Sequence, residues 1–223
     1  RDAAYALSVN QQAADWLARQ RADKPIFLFV HLFDPHWPYG PADGALPGAD
    51  TASFHDFVVQ VLQAERKLQE AWKNRYLAEI RRSDQAVERL FETLRKNNRW
   101  DNAWIIVASD HGEEWWDHGF LGHAVTLYDE VLRVPLLVKK PSQKVGQVRE
   151  TMVTLLDVTA TITRHLDLPG PRDFDGADLD EIATGEPEVW ASTAIWGERR
   201  FALIQGCAKG INAHSWRFGD FHG

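Results

Sequence analysis

A short apolar run that ends in metal-capable side chains most constrains how this chain folds. Ala103–Ala108 consists largely of strand-forming residues and predicts a buried β-strand. It is followed directly by Ser109-Asp110-His111-Gly112-Glu113. Open α/β sheets place their ligand sites at the carboxyl ends of strands. Asp110 and His111 offer one hard oxygen and one borderline nitrogen, which makes them candidate ligands of a divalent cation, with a simple capped turn as the alternative.

A second apolar run also ends in a polar loop. Ile26–Phe33 reads as a strand that is apolar on both faces, as central parallel strands are, and its His31 is expected to be a core histidine. The loop after it contains His36 between Pro35 and Pro38. Proline removes a backbone donor and fixes φ, so the strand cannot continue through this loop.

The remaining periodicity alternates between helix and strand. Helical spacing covers 3–19, a long region from about 51 to 98 that holds one or two helices, and 153–166 with Asp157 as a candidate cap; strand patterns cover 134–138, 191–196, 201–205 and 210–214. This order predicts an α/β fold with a mostly parallel central sheet flanked by helices, followed by the start of a small antiparallel C-terminal subdomain. The expected division is into residues 1–188 and 189–223.

Composition excludes some functions. The chain has 223 residues and a net charge of −7, and no basic stripe offsets that charge, so a nucleic-acid partner is not expected. The apolar runs are too short to cross a bilayer, which excludes a membrane-spanning helix at the level of sequence. The single cysteine, Cys207, excludes an internal disulfide and is expected to be structural or exposed.

Four stretches occur in one order along the chain. They are Asp34-Pro35-His36-Trp37-Pro38-Tyr39, the helical pattern 76–94 with Asp84, the strand ending in Ser109-Asp110-His111-Gly112-Glu113, and the segment from His118-Gly119 and Gly122-His123 to Val134-Pro135. In this order and spacing they resemble the sulfatase family, within the alkaline-phosphatase-like superfamily. The resemblance covers most of residues 3–205.

The resemblance implies roles for five residues. Asp110 and His111 would be metal ligands, with calcium as the expected cation and manganese or zinc as softer alternatives. His36 and His123 would be catalytic, contacting the sulfate or protonating the leaving oxygen, and His118 would bind substrate. Plain alternatives stay open: His36 stacked on Trp37, a solvent-facing His118, and His111 packed over Trp115 or Trp116. Two further sets stay open as well: Glu113 and Glu114 either support the site or are exposed, and the tryptophans at 37, 115 and 116 line a substrate entrance or pack in the core.

The chain also departs from the family pattern. Sulfatases oxidise the Cys or Ser of an N-terminal Cys/Ser-x-Pro-x-Arg motif to formylglycine, their nucleophile, and carry two metal-binding Asp residues near the N-terminus; neither feature is in this sequence. The residues around Cys207 do not fit the motif. We therefore expect a piece of a longer protein that is inactive alone, with the formylglycine upstream.

Several hypotheses follow from the resemblance. The first is a metal-dependent hydrolase of sulfate esters, with a sulfated small molecule or carbohydrate as substrate. The alternatives are a phosphonate or phosphodiester hydrolase, a phosphoglycerol transferase on the same scaffold, and a non-catalytic truncated module. A periplasmic or secreted parent is the expectation, and the oligomeric state is not predicted.

Overall fold

The computed structural model describes residues 5–21, 23–37, 39, 54–166, 174–182, 188–195 and 198–212. It divides into two compact units that interleave in sequence. The first contains Arg1–Val107, Trp115–Leu121 and Leu137–Lys144, and the second contains Ala108–Glu114, Gly122–Leu136 and Val145–Gly223. Pro38 of the predicted proline-framed loop lies outside the described residues.

Three helices build most of the first unit. They are α1 (Tyr5–Ala18), α2 (Phe54–Gln63) and α3 (Arg66–Lys96), and α1 packs on α3. The buried residues of α3 are Trp72, Glu79 and Ala86. Their seven-residue spacing places them on one side of the helix, and the buried Glu79 carboxylate there pairs with Arg82. The sequence prediction of helices over these regions is confirmed.

The long helix α3 ends in a Schellman motif. Asn98 has a φ of 55°, its N–H donates to the carbonyl of Arg95, and the next N–H, of Arg99, donates to the carbonyl of Leu94. Asparagine tolerates this left-handed conformation better than most residues, and the two bonds satisfy carbonyls that the helix leaves without partners. Arg95 and Lys96 in the last turn complement the helix dipole.

An aromatic cluster forms the core of the first unit. Val61, Trp72 and Leu121 are almost fully buried, and the partly buried residues packed on them are Trp37, Leu68, Trp115, Trp116 and Phe120. The indole N–H of Trp116 donates to the carbonyl of Val61 at 3.1 Å. The three tryptophans considered for a substrate entrance (Trp37, Trp115, Trp116) therefore pack in the core.

The strands are short. β1 (Ile105–Ala108) pairs with β4 (Leu136–Lys139), and β2 (Glu114–Trp115) pairs with β3 (Leu121–Gly122), each as a two-stranded sheet. A four-residue helix, α4 (Asp129–Leu132), precedes β4. The predicted strands at Ala103–Ala108 and Val134–Val138 are confirmed with shifted bounds, whereas the mostly parallel central sheet is not seen among the described residues and stays a prediction.

The prediction of a strand over Ile26–Phe33 is wrong for this structure. Residues 25–33 are all described and none of them belongs to a strand. Their burial alternates instead of being complete on both faces: Phe27 and Phe29 are 68% and 77% exposed, and His31 is exposed rather than in the core. An apolar run predicts which side chains favour burial, but a strand forms only where a neighbouring backbone supplies hydrogen bonds.

The second unit combines a helix with an antiparallel sheet. α5 (Leu155–His165) is followed by β5 (Glu188–Ile195), β6 (Glu198–Gln205) and β7 (Ala208–Asn212). The three strands pair in chain order, and both pairings are antiparallel. Gly206 and Cys207 form the two-residue β6–β7 loop, and Gly206 has the positive φ of 57° that such a loop requires. The predicted antiparallel strands near the C-terminal end are confirmed, their division from residues 1–188 as a subdomain stays a prediction, and Cys207 is exposed.

Helix α5 begins with a capping arrangement that the sequence indicated only in part. The cap residue is Thr154, and Asp157, predicted as the cap, stands three residues later. The carboxylate of Asp157 accepts the Thr154 N–H at 2.6 Å and the Ala177 N–H at 2.7 Å. One buried carboxylate therefore caps the helix and also ties it to the loop at Ala177.

Candidate active site

The candidate metal ligands occupy a tight loop directly after β1. Asp110 Oδ1 accepts the backbone N–H of His111 at 3.0 Å, and the Ser109 hydroxyl donates to the carbonyl of His111 at 2.6 Å. The Asp110 side chain is nevertheless 79% exposed. The turn-capping role and the ligand role are therefore compatible, because the cap uses one carboxylate oxygen and the other lies on the side of the His111 ring.

The ring of His111 has a defined proton position. Its Nδ1 lies 2.9 Å from the carbonyl oxygen of Gly112. A carbonyl only accepts, so Nδ1 carries the hydrogen and the lone pair of the neutral ring is on Nε2. A backbone carbonyl behind a histidine ligand is a common way of orienting it toward a metal.

Asp110 and His111 fit a divalent cation by this geometry. Asp110 Oδ2 and His111 Nε2 are 3.9 Å apart. Two ligand atoms at about 2.0–2.4 Å from one ion can be up to about 4–5 Å apart, so both atoms can reach a shared cation. Two donors leave most positions of a calcium shell to further ligands.

Gly112 allows the close backbone approach that shapes this loop. Its N–H donates to the carbonyl of Val131 at 2.8 Å. A Cβ at Gly112 would lie 2.0 Å from the carbonyl oxygen of Glu130, closer than any real contact. The residue between the candidate metal ligand His111 and Glu113 must therefore be a glycine.

His123 stacks on His111. The ring centroids are 3.9 Å apart with an interplanar angle of 25°. His123 Nδ1 lies 2.9 Å from Glu113 Oε1, and the Glu113 side chain is only 5% exposed. The structure thus brings Asp110, His111 and His123 together, and it adds Glu113, for which the sequence left two interpretations open.

The next residue, Glu114, is also buried. Its exposure is 0%, and one carboxylate oxygen accepts the Thr126 hydroxyl at 2.7 Å. The alternative that Glu113 and Glu114 are simply exposed is therefore wrong. A pair of adjacent glutamates gave no periodic signal for burial, because neighbouring residues in a strand normally face opposite sides.

The backbone after His123 is strained, and side chains of the C-terminal sheet form hydrogen bonds with it. Ala124 has a φ of 70°, a conformation that costs a residue with a Cβ about 1 kcal/mol or more. Its carbonyl accepts the Thr193 hydroxyl of β5 at 2.6 Å, and the next carbonyl, of Val125, accepts the Arg200 guanidinium of β6 at 2.8 Å. Strands that the sequence assigned to a separate subdomain thus fix the backbone beside a candidate catalytic residue.

His36 belongs to the first unit. Its ring stacks on Phe33, with centroids 4.5 Å apart. Its Nδ1 lies 2.6 Å from the carbonyl oxygen of Trp37. The proton is again on Nδ1 because the carbonyl can only accept. The loop therefore holds the ring in one orientation and one tautomer.

His118 also belongs to the first unit, where it is exposed in the turn between β2 and β3. The N–H of Trp116 donates to the carbonyl of Phe120 at 2.7 Å across this turn. The solvent-facing alternative for His118 matches this position, and a contact with substrate stays a prediction.

A second group of metal-capable side chains lies in the second unit. His165 Nε2 is 3.1 Å from Asp178 Oδ2 and 3.5 Å from Asp180 Oδ2, distances that would suit three ligands of one ion. However, Arg164 and Arg149 already contact these carboxylates, at 3.4 Å from Asp178 and 3.9 Å from Asp180. We interpret the group as an ion-pair network that holds the end of α5, which sequence periodicity did not indicate.

Comparison with known proteins identifies the family. The sequence profile described as Sulfatase matches residues 5–168. The match covers well over half of the chain, so the chain belongs to the sulfatase family, a family of sulfuric ester hydrolases.

Within the described ranges, no helix combines the length and apolar character needed to cross a membrane.

Three similar proteins illustrate the range of this resemblance. The multifunctional alkaline phosphatase superfamily protein PehA of Trinickia caryophylli is 36% identical over 118 residues, which is 52% of this chain and 23% of that protein. The solved structure of BT4656 with its substrate D-glucosamine-2-N,6-O-disulfate has a TM-score of 0.55 at 20% identity, covering 65% of this chain and 32% of the other. The phosphonate monoester hydrolase of Silicibacter pomeroyi has a TM-score of 0.61 at 20% identity, covering 72% and 36%.

The two structures share the fold of this chain. The chain spans less than half of the length of the curated relatives it matches, with shares of 23% and 40% for two of them.

Proposed function

We propose that this chain supplies the metal-ligand and imidazole part of the active site of a sulfatase that hydrolyses sulfate esters. The observation that carries the proposal is the meeting of Asp110, His111 and His123 in one loop cluster. His111 and His123 stack at 3.9 Å, and Asp110 Oδ2 lies 3.9 Å from His111 Nε2. Membership of the sulfatase family supports the assignment of these side chains to a hydrolytic site.

Asp110 and His111 would hold a divalent cation, and calcium is the proposed ion, with manganese or zinc as alternatives. When bound, such an ion acts as a Lewis acid that stabilises charge on the non-bridging oxygens of the ester. A formylglycine nucleophile is proposed from the family pattern. The sequence of this chain contains no Cys/Ser-x-Pro-x-Arg motif, so none of its residues is assigned that role.

The chain's own histidines would handle protons and substrate contacts. Breaking the S–O bond releases an alkoxide, which needs a proton, and a positioned imidazole typically contributes about 10²- to 10⁴-fold to such a step. We assign this role to His36 or His123, whose Nδ1 atoms lie 2.6 and 2.9 Å from an acceptor oxygen. The ring would give the proton on Nε2 from its doubly protonated form and return to the neutral Nδ1–H tautomer. His118 is proposed to contact the substrate.

A sulfated carbohydrate is the proposed substrate class. The support is the solved BT4656 structure with its glucosamine disulfate substrate, and a relative described as an N-acetylglucosamine-6-O-sulfatase from Bacteroides thetaiotaomicron. The competing function is phosphonate ester hydrolysis, which the phosphonate monoester hydrolase structure favours. Phosphodiester hydrolysis, phosphoglycerol transfer and a non-catalytic module are hypotheses that rank below these two.

Binding measurements on the chain itself test the proposal. The ¹⁵N ring resonances of the histidines would be followed while CaCl₂ and then glucosamine 6-sulfate are added. A phenyl ester of a phosphonate, which represents the competing class of substrate, is added in a parallel titration. We expect calcium binding at about 10⁻³ M or weaker, because two donors are few for this ion. The shifts should be largest at His111 and should disappear in Asp110→Asn. They should persist in the control Glu150→Gln, which changes an exposed carboxylate 40 positions after Asp110.

Several outcomes would count against the proposal. Shifts that are the same in Asp110→Asn would remove Asp110 from the metal site. A response of His123 to the phosphonate but not to the sulfate ester would favour the competing function. The absence of any response at His111 and His123 to either addition would leave the cluster without its assigned role.

A further inference from the structure

Glu113 is a buried carboxylate in hydrogen-bond contact with an imidazole of the candidate site. Its Oε1 lies 2.9 Å from His123 Nδ1, and the side chains are 5% and 24% exposed respectively. A buried carboxylate is costly unless hydrogen bonds or opposite charge compensate for lost water. The hydrogen bond with His123 supplies part of this compensation.

The contact fixes which nitrogen of His123 carries the hydrogen. An ionised carboxylate has only acceptor oxygens, so the ring must donate through Nδ1. The hydrogen bond also sets the rotation of the ring, and the parallel stack on His111 sets its plane. The same rule applies to His111, whose Nδ1 donates to the carbonyl of Gly112. Two stacked imidazoles thus have the same tautomer, set by two different acceptors.

The two acceptors are neighbours in the sequence. The carbonyl of Gly112 is the acceptor for His111, and the next residue, Glu113, is the acceptor for His123. Gly112 has no side chain, so its backbone can lie close to the backbone of Glu130. The loop therefore orients both rings from adjacent residues. A change in the position of Glu113 would alter His123 while the acceptor of His111 remains in place.

We propose that Glu113 is a positioning residue that holds His123 in the Nδ1–H tautomer, so that Nε2 is the ring nitrogen used for substrate contact or proton transfer. This inference deepens the proposed function and rests on its assignment of His123 to substrate contact or proton transfer. Glu113 itself touches neither substrate nor metal in this scheme. Its effect is to fix the ring in one tautomer and one orientation before substrate binds.

Ring ¹⁵N spectra of the complete chain test the proposal. Ring ¹⁵N shifts distinguish the two tautomers of a neutral imidazole from each other and from the doubly protonated ring. We expect His123 to be a single Nδ1–H tautomer in the native chain. Glu113→Gln should retain it, because the amide oxygen still accepts, whereas Glu113→Ala should convert it to a mixture. Glu150→Gln is the exposed control and should change nothing.

The outcomes separate this inference from the proposed function. An Nε2–H tautomer in the native chain, or an unchanged single Nδ1–H form in Glu113→Ala, would overturn it. If Glu113→Ala does not fold, the native chain and Glu113→Gln decide, because both must show the Nδ1–H form. A Glu113-dependent tautomer with no response of His123 to sulfate esters would support the positioning contact and contradict the proposed function alone.

Discussion

The hydroxyl of Thr193 on β5 donates a 2.6 Å hydrogen bond to the carbonyl of Ala124, the residue directly after His123. Ala124 has a φ of 70°, so this contact stabilises a conformation that alanine avoids on its own. A residue 69 positions away in sequence therefore helps to fix the backbone of the candidate site. Two substitutions separate the hydrogen bond from the strain.

Ala124→Gly should raise the free energy of unfolding by about 0.5–1 kcal/mol, because glycine adopts positive φ without a steric penalty. Thr193→Val should lower it by about 1 kcal/mol through loss of one hydrogen bond. Urea unfolding followed by far-ultraviolet circular dichroism measures both. Ala177→Gly is the control at an alanine outside the positive-φ residues, and it should not stabilise. Stabilisation by Thr193→Val would contradict the prediction.

Gly112→Ala should be one of the most damaging small substitutions in the chain. The new Cβ would lie 2.0 Å from the Glu130 carbonyl oxygen, and the obstacle is backbone, which cannot rotate away. We expect a loss of about 3 kcal/mol in the free energy of unfolding. Gly146→Ala is the matched control, because a Cβ there meets nothing within 4 Å. Equal urea midpoints for the two variants would show that the loop can move apart.

Asp157→Ala should destabilise the start of α5 and the loop at Ala177 together. The carboxylate accepts N–H groups of Thr154 and Ala177 at 2.6 and 2.7 Å and is 7% exposed. Removing it leaves two donors without their acceptor, so we expect a loss of about 2–3 kcal/mol. The exposed Asp175→Ala serves as the comparison. Hydrogen exchange should also quicken at both amides, and slow exchange at Ala177 in the variant would disprove the link.

Lys139 should make the stability of the first unit depend on pH in the alkaline range. Burial lowers the pKa of Lys139 below its ordinary 10.5, while its ammonium donates to the carbonyls of Trp100 and Ala103. In the interval below 10.5 the unfolded chain holds this proton more tightly than the native chain, so the free energy of unfolding rises with pH there.

Lys139→Met should remove that slope, and urea midpoints between about pH 8 and the ordinary lysine pKa of 10.5 measure it. Other groups titrate in both proteins, so the difference between the two curves isolates Lys139. Lys67→Met is the control, because Lys67 is exposed on α3 and is not among the groups that shift the pKa of Lys139. Parallel curves for the native chain and Lys139→Met would refute the prediction.

Local signals in the sequence predicted most elements that depend on local interactions. The predicted end of the long helical region near residue 98 is confirmed, and the structure shows why, since Asn98 takes the left-handed position of a Schellman motif. The strand after Trp104 and the Asp-His pair that follows it were also predicted from the residues. The antiparallel meander was visible from alternation alone, because each of its strands pairs with its sequence neighbour.

Features that depend on distant partners were not predicted. Ile26–Phe33 carries a strand composition, but composition does not supply the neighbouring backbone that a strand needs. The stack of His111 on His123 and the burial of Glu113 depend on how residues 108–114 meet 122–136, and no periodicity encodes that. The Thr193 contact with Ala124 joins positions that the sequence assigned to different domains.

The distribution of indoles determines what emission spectroscopy can observe in this protein. The chain has 10 tryptophans, and those at positions 16, 37, 72, 100, 104, 115 and 116 all fall in the first unit. Intrinsic fluorescence during denaturation will therefore report mainly on the helical unit. The histidine pair belongs to the other unit, which holds the remaining three indoles, so its unfolding will contribute the smaller part of the signal.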